Sequence, residues 1–118
     1  MARTDSLFGS LLIRISNKDR AFLARQLAVM LESGLPISQA IRSLIEQTNN
    51  PLLKDVLSDV LNDLEGGYKF SAAIKKHPKV FNQVFVSVVA AGESTGKLDT
   101  VANLLADEME RDQGFRSR

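Results

Sequence analysis

Few side chains of this 118-residue chain could perform catalysis. The chain contains no cysteine and one histidine, His77, which excludes a thiolate nucleophile, a disulfide framework and a multi-histidine metal site. A histidine-based triad would depend on His77, which precedes Pro78 at the predicted end of a short helix. A histidine in that position is usually structural. The residue types therefore argue against an enzyme.

Residues 92–97 are partly similar to a phosphate-binding loop, with Gly92, Gly96 and Lys97 in the expected order. The phosphate-binding motif has four residues between its glycines and Ser or Thr after the lysine. Here three residues separate the glycines, Leu98 follows the lysine, and the segment joins two predicted helices. The sequence therefore does not predict a nucleotide site.

Carboxylates are the remaining candidate metal ligands. Asp55, Asp59 and Asp63 recur every four residues and share one face of a predicted helix, while Glu93 and Asp99 lie near a predicted turn. Calcium prefers several oxygens that converge from a loop with a glycine bend, and no such acidic loop occurs here. We expect solvated carboxylates and no resident cofactor. A calcium site formed by Glu93 and Asp99 between two chains is the alternative.

The charge balance argues against a nucleic-acid partner. Fifteen basic and fourteen acidic residues give a net charge of +1, and the chain has one tyrosine and no tryptophan for base stacking. Acidic residues concentrate in residues 46–65 and lysines in residues 69–97. These groups can be solvated helix faces, or they can be patches of opposite charge that dock a partner or a second copy. The most apolar run, residues 84–91, is far shorter than the ~20 residues that cross a bilayer.

Helical periodicity predicts an all-α fold, a compact six-helix bundle built from helix-turn-helix hairpins. Ser16 with Asp19, Ser38, Asn50 before a proline, Ser71 and Asp99 are predicted helix starts, and glycines are predicted stops. The predicted helices span about residues 17–33, 39–48, 51–65, 71–77, 80–91 and 99–111. Residues 92–96 are predicted to form a tight polar turn.

The apolar positions of these helices predict the core. The residues expected to be buried are Leu23, Leu27, Met30, Leu31, Ala40, Ile41, Leu44, Ile45, Leu53, Val56, Leu57, Val60, Leu61, Leu64, Ala73, Ile74, Phe81, Val84, Phe85, Val88, Val89, Val101, Leu104, Leu105 and Met109. Residues 31–41 and 64–74 share one pattern, in which a glycine ends a helix and a serine follows. A third copy is degenerate, so we expect helical hairpins and not a solenoid.

In combination, these segments resemble one family. Residues 22–37 resemble the opening of the cytoplasmic domain of type II secretion system F proteins and of the related PilC-type platform proteins of type IV pili. Residues 77–81 and 91–99 are similar to the second signature of that family, and the match covers about residues 18–112. The residues that carry it, as candidates for the fold or a subunit contact, are Arg25, Gln26, Gly34, Pro36, Pro78, Phe81, Gly92, Glu93, Gly96 and Leu98.

The resemblance implies a non-catalytic domain on the cytoplasmic face of the bacterial inner membrane. Such a domain occurs twice in a polytopic platform protein, docks the assembly ATPase and other platform subunits, and associates with itself. We expect residues 1–16 to be an N-terminal extension, residues 17–112 the domain, and residues 113–118 a tail that leads to a membrane span. A freestanding soluble helical adaptor is the alternative. A helical enzyme or nucleic-acid binder is the third hypothesis.

Overall fold

A computed structural model describes residues 15–117, with side chains to residue 112, and this part of the chain forms six α-helices and no strand. The helices are α1 (Asn17–Glu32), α2 (Ile37–Gln47), α3 (Pro51–Glu65), α4 (Phe70–Lys75), α5 (Gln83–Thr95) and α6 (Leu98–Ser117). The predicted all-α fold is confirmed. Most of the predicted N-terminal extension lies outside the described residues. The predicted end of the last helix near residue 111 is wrong, because α6 continues to Ser117.

Side-chain caps begin α1 and α3 as the sequence predicts. The Ser16 hydroxyl accepts a hydrogen bond from the Asp19 N–H at 3.0 Å, and the Asp19 carboxylate accepts one from the Ser16 N–H at 3.0 Å. The Asn50 side chain accepts hydrogen bonds from the Leu52 and Leu53 N–H groups. These bonds satisfy amide groups that have no partner within the helix.

Three glycines end helices by adopting the left-handed conformation. Gly34, Gly67 and Gly96 have φ angles of 97°, 94° and 69°. The residue after each glycine donates its N–H to the carbonyl five residues earlier, at 3.0, 3.0 and 2.8 Å respectively. This geometry is the Schellman motif. The stops at Gly34 and Gly67 lie 33 residues apart, which explains the repeated sequence pattern.

Three predicted helix starts are wrong by one or two residues. Ser38, Ser71 and Asp99 lie inside the first turns of α2, α4 and α6 and do not precede them. In α2 and α4 the first residue is apolar: Ile37 is partly buried against the core, and Phe70 is 3% exposed. Burial of this first side chain draws it into the helix, which local capping propensity does not anticipate.

The predicted bounds of α5 are also wrong, at both ends. Val80 lies in a turn, and α5 begins after Asn82, whose side chain accepts a hydrogen bond from the Phe85 N–H at 2.9 Å. Arg20 of α1 binds the carbonyls of Lys79 and Val80 at 2.6 and 3.2 Å. In a helix those carbonyls would accept bonds from the following turn. At the other end, residues 92–95 are helical, so the predicted polar turn reduces to Gly96 and its flanking residues.

The buried residues form two clusters. The larger consists of Leu23, Leu27, Ala40, Ile41, Leu44, Leu53, Leu57, Val60, Phe70, Ala73, Ile74, Val80, Phe81, Phe85 and Val89. All of these except Phe70 and Val80 belong to the predicted core. The smaller one joins α1 to α6 through four alanines that the sequence analysis did not identify, Ala24, Ala28, Ala102 and Ala106. The prediction that Val84 and Leu104 are buried is wrong, because these side chains are 67% and 60% exposed.

Candidate interaction site

Arg25 joins α1 to α6. Its guanidinium donates to both carboxylate oxygens of Glu110 at 2.8 and 2.9 Å, to Asp107 at 2.5 Å and to Asn103 at 3.0 Å. The hydrogen bond from Arg25 lowers the pKa of Glu110 below its usual value, and the same bond raises the pKa of Arg25. Gln26, the second residue of this candidate pair, is half-buried on α1. The structure therefore gives Arg25 a role in holding two helices together.

Gly92 is buried in α5 where that helix passes closest to the start of α6. A β-carbon at this position would overlap Cγ2 of Val101 and would lie 3.2 Å from Cα of Leu98. Gly92 does not have a positive φ, so the absence of a side chain permits the close approach. This glycine is a packing residue, although the sequence analysis assigned it to a turn.

Glu93 supplies the missing cap of α4. The residue before α4, Lys69, makes no side-chain capping bond. Instead, one carboxylate oxygen of Glu93 accepts a hydrogen bond from the Ser71 N–H at 2.8 Å, and the other accepts one from the Ser71 hydroxyl at 2.5 Å. A carboxylate at a helix N-terminus also interacts favourably with the helix dipole. Glu93 thus ties α5 to α4.

The other motif residues also build junctions between helices. Gly96 ends α5, and Leu98 begins α6 while packing partly against the core. Gly34 and Pro36 form the short connection from α1 to α2, where Pro36 immediately precedes the first residue of α2. These four motif residues therefore lie where the chain changes direction.

The motif residues Pro78 and Phe81 lie in the connection between α4 and α5. Pro78 is exposed, whereas Phe81 is 2% exposed and packs against Phe85 with ring centroids 5.2 Å apart. The sequence analysis missed the residue that fixes this connection, Arg20, which also binds the Ile15 carbonyl at 2.7 Å. A single sequence gives no signal for such a role, because the partners of Arg20 are backbone carbonyls.

The structure brings few of the candidate metal ligands together. In the part of the chain that the structure describes, no three His, Asp or Glu side chains form a metal-binding group. Both carboxylate oxygens of Glu93 already accept bonds from Ser71, and Asp99 is exposed in the first turn of α6. Asp59 lies 2.8 Å from His77. A calcium site between two chains through Glu93 and Asp99 stays a prediction.

Asp63, the third member of the acidic helix face, is almost buried and has a lysine partner. The ammonium group of Lys76 lies 2.7 Å from one oxygen of Asp63. This contact raises the pKa of Lys76. The same ammonium group lies 5.8 Å from the ring centroid of Tyr68. The expectation that these carboxylates are simply solvated is therefore wrong for Asp63.

Exposed apolar side chains define two surfaces. On α1, Phe22 and Val29 are 50% and 49% exposed and lie two turns apart on one helix face. We call them the α1 surface. The second is a cleft of about 490 Å³ between α5 and α6, which contains Val84 and Leu104. We call it the α5–α6 groove. Apolar groups exposed together on a helical domain often mark contacts with other protein segments.

These features define the class of protein. It is a helical-bundle domain in which motif residues join the helices and exposed apolar residues form the α1 surface and the α5–α6 groove. The sequence model of the family described as "Type II secretion system (T2SS), protein F" matches residues 23–118. The chain therefore belongs to the type II secretion system protein F family. The family resemblance predicted from the sequence motifs is confirmed.

Individual relatives come from both secretion and pilus systems. The chain is 39% identical over 104 residues to "Type II secretion system protein F" of Vibrio cholerae, and the aligned region covers 88% of this chain and 26% of that protein. It is 42% identical over 101 residues to "Type IV pilus assembly protein PilC" of Thermus thermophilus, which covers 86% and 25% respectively. The chain thus spans about a quarter of the length of these relatives. No helix in the described part is long and apolar enough to span a membrane.

Proposed function

We propose that this chain is a non-catalytic cytoplasmic domain of a bacterial inner-membrane platform protein for type II secretion or type IV pilus assembly. In this role it docks the assembly ATPase and other platform subunits, and it associates with itself. Family membership and the names of the relatives support the choice of machinery. The proposal includes no resident cofactor.

The observation that carries the docking role is the α1 surface. Most motif residues of the family are used inside the domain, in caps, turns and helix contacts. Phe22 and Val29 are about half exposed, although the same helix packs Leu23 on the core. Aromatic side chains such as Phe22 are enriched at the centres of protein interfaces. We therefore assign ATPase docking to the α1 surface.

The test is co-purification of the assembly ATPase with the full-length membrane protein from its source cell. We expect the double substitution Phe22→Ser and Val29→Ser to reduce ATPase recovery strongly while the variant remains folded. Tyr68→Ser is the control, because Tyr68 is an aromatic residue outside the α1 surface and is at least as exposed as Phe22. Recovery that is equal for the double variant and the wild type would refute docking through the α1 surface.

The freestanding adaptor predicts a different native protein. The intact mass of the native species, measured separately in membrane and soluble fractions, separates the two hypotheses. The platform proposal expects a membrane species much heavier than 13.0 kDa. A soluble species of 13.0 kDa as the only product would overturn that proposal in favour of the adaptor.

A further inference from the structure

The α5–α6 groove has an apolar floor that the described helices leave uncovered. Its apolar lining includes Val84, Val88, Leu104, Leu105 and Met109. Val84 and Leu104 are each more than half exposed, whereas Phe85 and Val89 of α5 pack on the core. A groove of this kind has room for several apolar side chains from another segment.

The groove begins where the N-terminal residues join the described structure. Asn17 and Arg20 of α1 line one end of the groove. Arg20 also donates a hydrogen bond to the Ile15 carbonyl at 2.7 Å, and Ile15 packs partly against the core. These contacts hold Ile15 next to the groove, and residues 1–14 immediately precede Ile15 in the chain.

The composition of the N-terminal residues matches this groove. Residues 6–13 contain five large apolar residues and no charge, and Arg14 follows them. Two acidic residues, Glu108 and Asp112, line the groove. Among the described residues of the lining, Arg20 is the only basic one, and its guanidinium is occupied by backbone carbonyls. The groove therefore combines an apolar floor with acidic groups that suit a basic, apolar segment.

We propose that residues 7–13 bind in the α5–α6 groove of the same chain. Their apolar side chains cover Val84 and Leu104, and Arg14 lies near the acidic residues of the groove. Seven residues extend at most about 25 Å, which is enough to follow a groove that begins at α1. Attachment within the same chain provides an effective concentration on the order of millimolar, which favours this occupant over a second copy at lower concentration.

A single tryptophan tests the proposal, because the chain contains none. In the full chain, Phe8→Trp places an indole in the proposed segment, and its emission reports burial. We expect a blue-shifted maximum with little quenching by iodide, independent of protein concentration. Adding Leu104→Glu should shift the emission towards that of an exposed indole. Adding Val29→Glu, an equally exposed aliphatic site on the α1 surface, should leave it unchanged.

Three outcomes would overturn the proposal: an exposed indole in Phe8→Trp, a buried indole that Leu104→Glu does not change, and burial that depends on protein concentration. The last would indicate binding between chains. Far-UV circular dichroism confirms that each variant is folded. As a second measurement, cysteine introduced at Leu11 together with Leu104→Cys should form an intramolecular disulfide, whereas Leu11→Cys with Val29→Cys should not. Neither readout depends on the ATPase, so the proposed function and this inference can fail separately.

Discussion

Gly92 and Glu93 are neighbours in the sequence, but they stabilise different contacts of α5. Gly92 lets the backbone of α5 approach α6, and Glu93 turns the other way to cap α4 through Ser71. A single turn of helix therefore positions three helices. Substitutions at this turn should affect stability more than their exposure alone would indicate.

Gly92→Ala should destabilise the domain by about 1–3 kcal/mol, because the new methyl group would overlap Val101. The steric overlap costs more than the ~1 kcal/mol that alanine gains over glycine inside a helix, so the net effect is a loss of stability. Urea denaturation measures the difference in the free energy of unfolding. Gly66→Ala is the control, since its β-carbon would meet no atom closer than 3.4 Å. If Gly92→Ala is as stable as Gly66→Ala, the close approach is not a constraint.

Glu93→Ala and Ser71→Ala should each reduce the free energy of unfolding by roughly 1–3 kcal/mol, because each removes a hydrogen bond to a charged group. The two losses should be only partly additive, since both variants remove the bond from the Ser71 hydroxyl, whereas only Glu93→Ala also removes the bond from the backbone N–H of residue 71. A double-mutant cycle by urea denaturation measures the coupling. Ser94→Ala controls for loss of a serine hydroxyl, because Ser94 bonds only the nearby Ala91 carbonyl. Fully additive losses would contradict the bond between the Ser71 hydroxyl and Glu93, and an unchanged stability of Glu93→Ala would contradict its capping role.

Among the helices, α1 and α6 pack through small side chains at the centre and charged groups at the edge. Ala24, Ala28, Ala102 and Ala106 are nearly or fully buried. Alanines allow the two backbones to lie close, and no larger side chain fits there without displacement. The Arg25 cluster then links the same two helices outside the alanines.

Ala28→Leu should destabilise the α1–α6 contact by about 1–3 kcal/mol, because Ala28 is fully buried and the contact has no space for three further carbons. Thermal and urea unfolding measure this loss. Ala72→Leu is the matched control on the exposed side of α4, and its effect should be small. Equal stability of the two variants would show that the α1–α6 contact can open without cost.

The free energy of unfolding should fall in acid, partly because Glu110 becomes protonated and loses its ion pair with Arg25. Because Arg25 lowers its folded pKa below the ordinary value of 4.5, Glu110 stabilises the fold above pH 4.5. That contribution disappears as the pH falls through the lower, folded pKa. Thermal unfolding of the wild type should therefore lose more between about pH 6 and about pH 3 than Arg25→Gln does. Parallel losses would indicate that the Arg25–Glu110 pair does not affect stability.

At the scale of the whole molecule, the helix junctions hold the bundle together and the exposed apolar residues remain for contacts beyond it. The α1 surface and the α5–α6 groove differ in this respect. We assign the first to another protein and the second to the chain's own N-terminal residues. A cation shared between two copies would add a third kind of contact.

Calcium should not change the thermal stability or the oligomeric state of the domain, since both oxygens of Glu93 already bind Ser71. A ligand at 100 times its Kd would stabilise the protein by about 2.7 kcal/mol, which thermal unfolding detects readily. Sedimentation with calcium, with magnesium and with a chelator measures association directly. Calcium-dependent association that Glu93→Gln or Asp99→Asn abolishes would instead establish the site between two chains.

The sequence alone determined the features that depend on residues close together in the chain. Ser16 with Asp19, Asn50, Gly34 and Gly67 act through bonds within about five residues, and those helix ends were predictable. The family was predictable as well, because its motif residues follow one another in a fixed order along the chain, although Arg25 and Glu93 act through contacts between helices. The periodicity of large aliphatic residues likewise identified most of the main core.

Other features depend on contacts between residues that are distant in the chain, and these became visible in the fold. In the sequence, Gly92 cannot be distinguished from a glycine in a turn. In the fold, it lies so close to Val101 that a side chain would not fit. The start of α5 depends on Arg20, about 60 residues away. Arg20 binds backbone carbonyls, which every residue type has, so the sequence does not reveal this contact. Alanines carry little hydrophobic signal until two helices bring them together. The structure likewise exposed Val84 and Leu104, because no described helix covers that face.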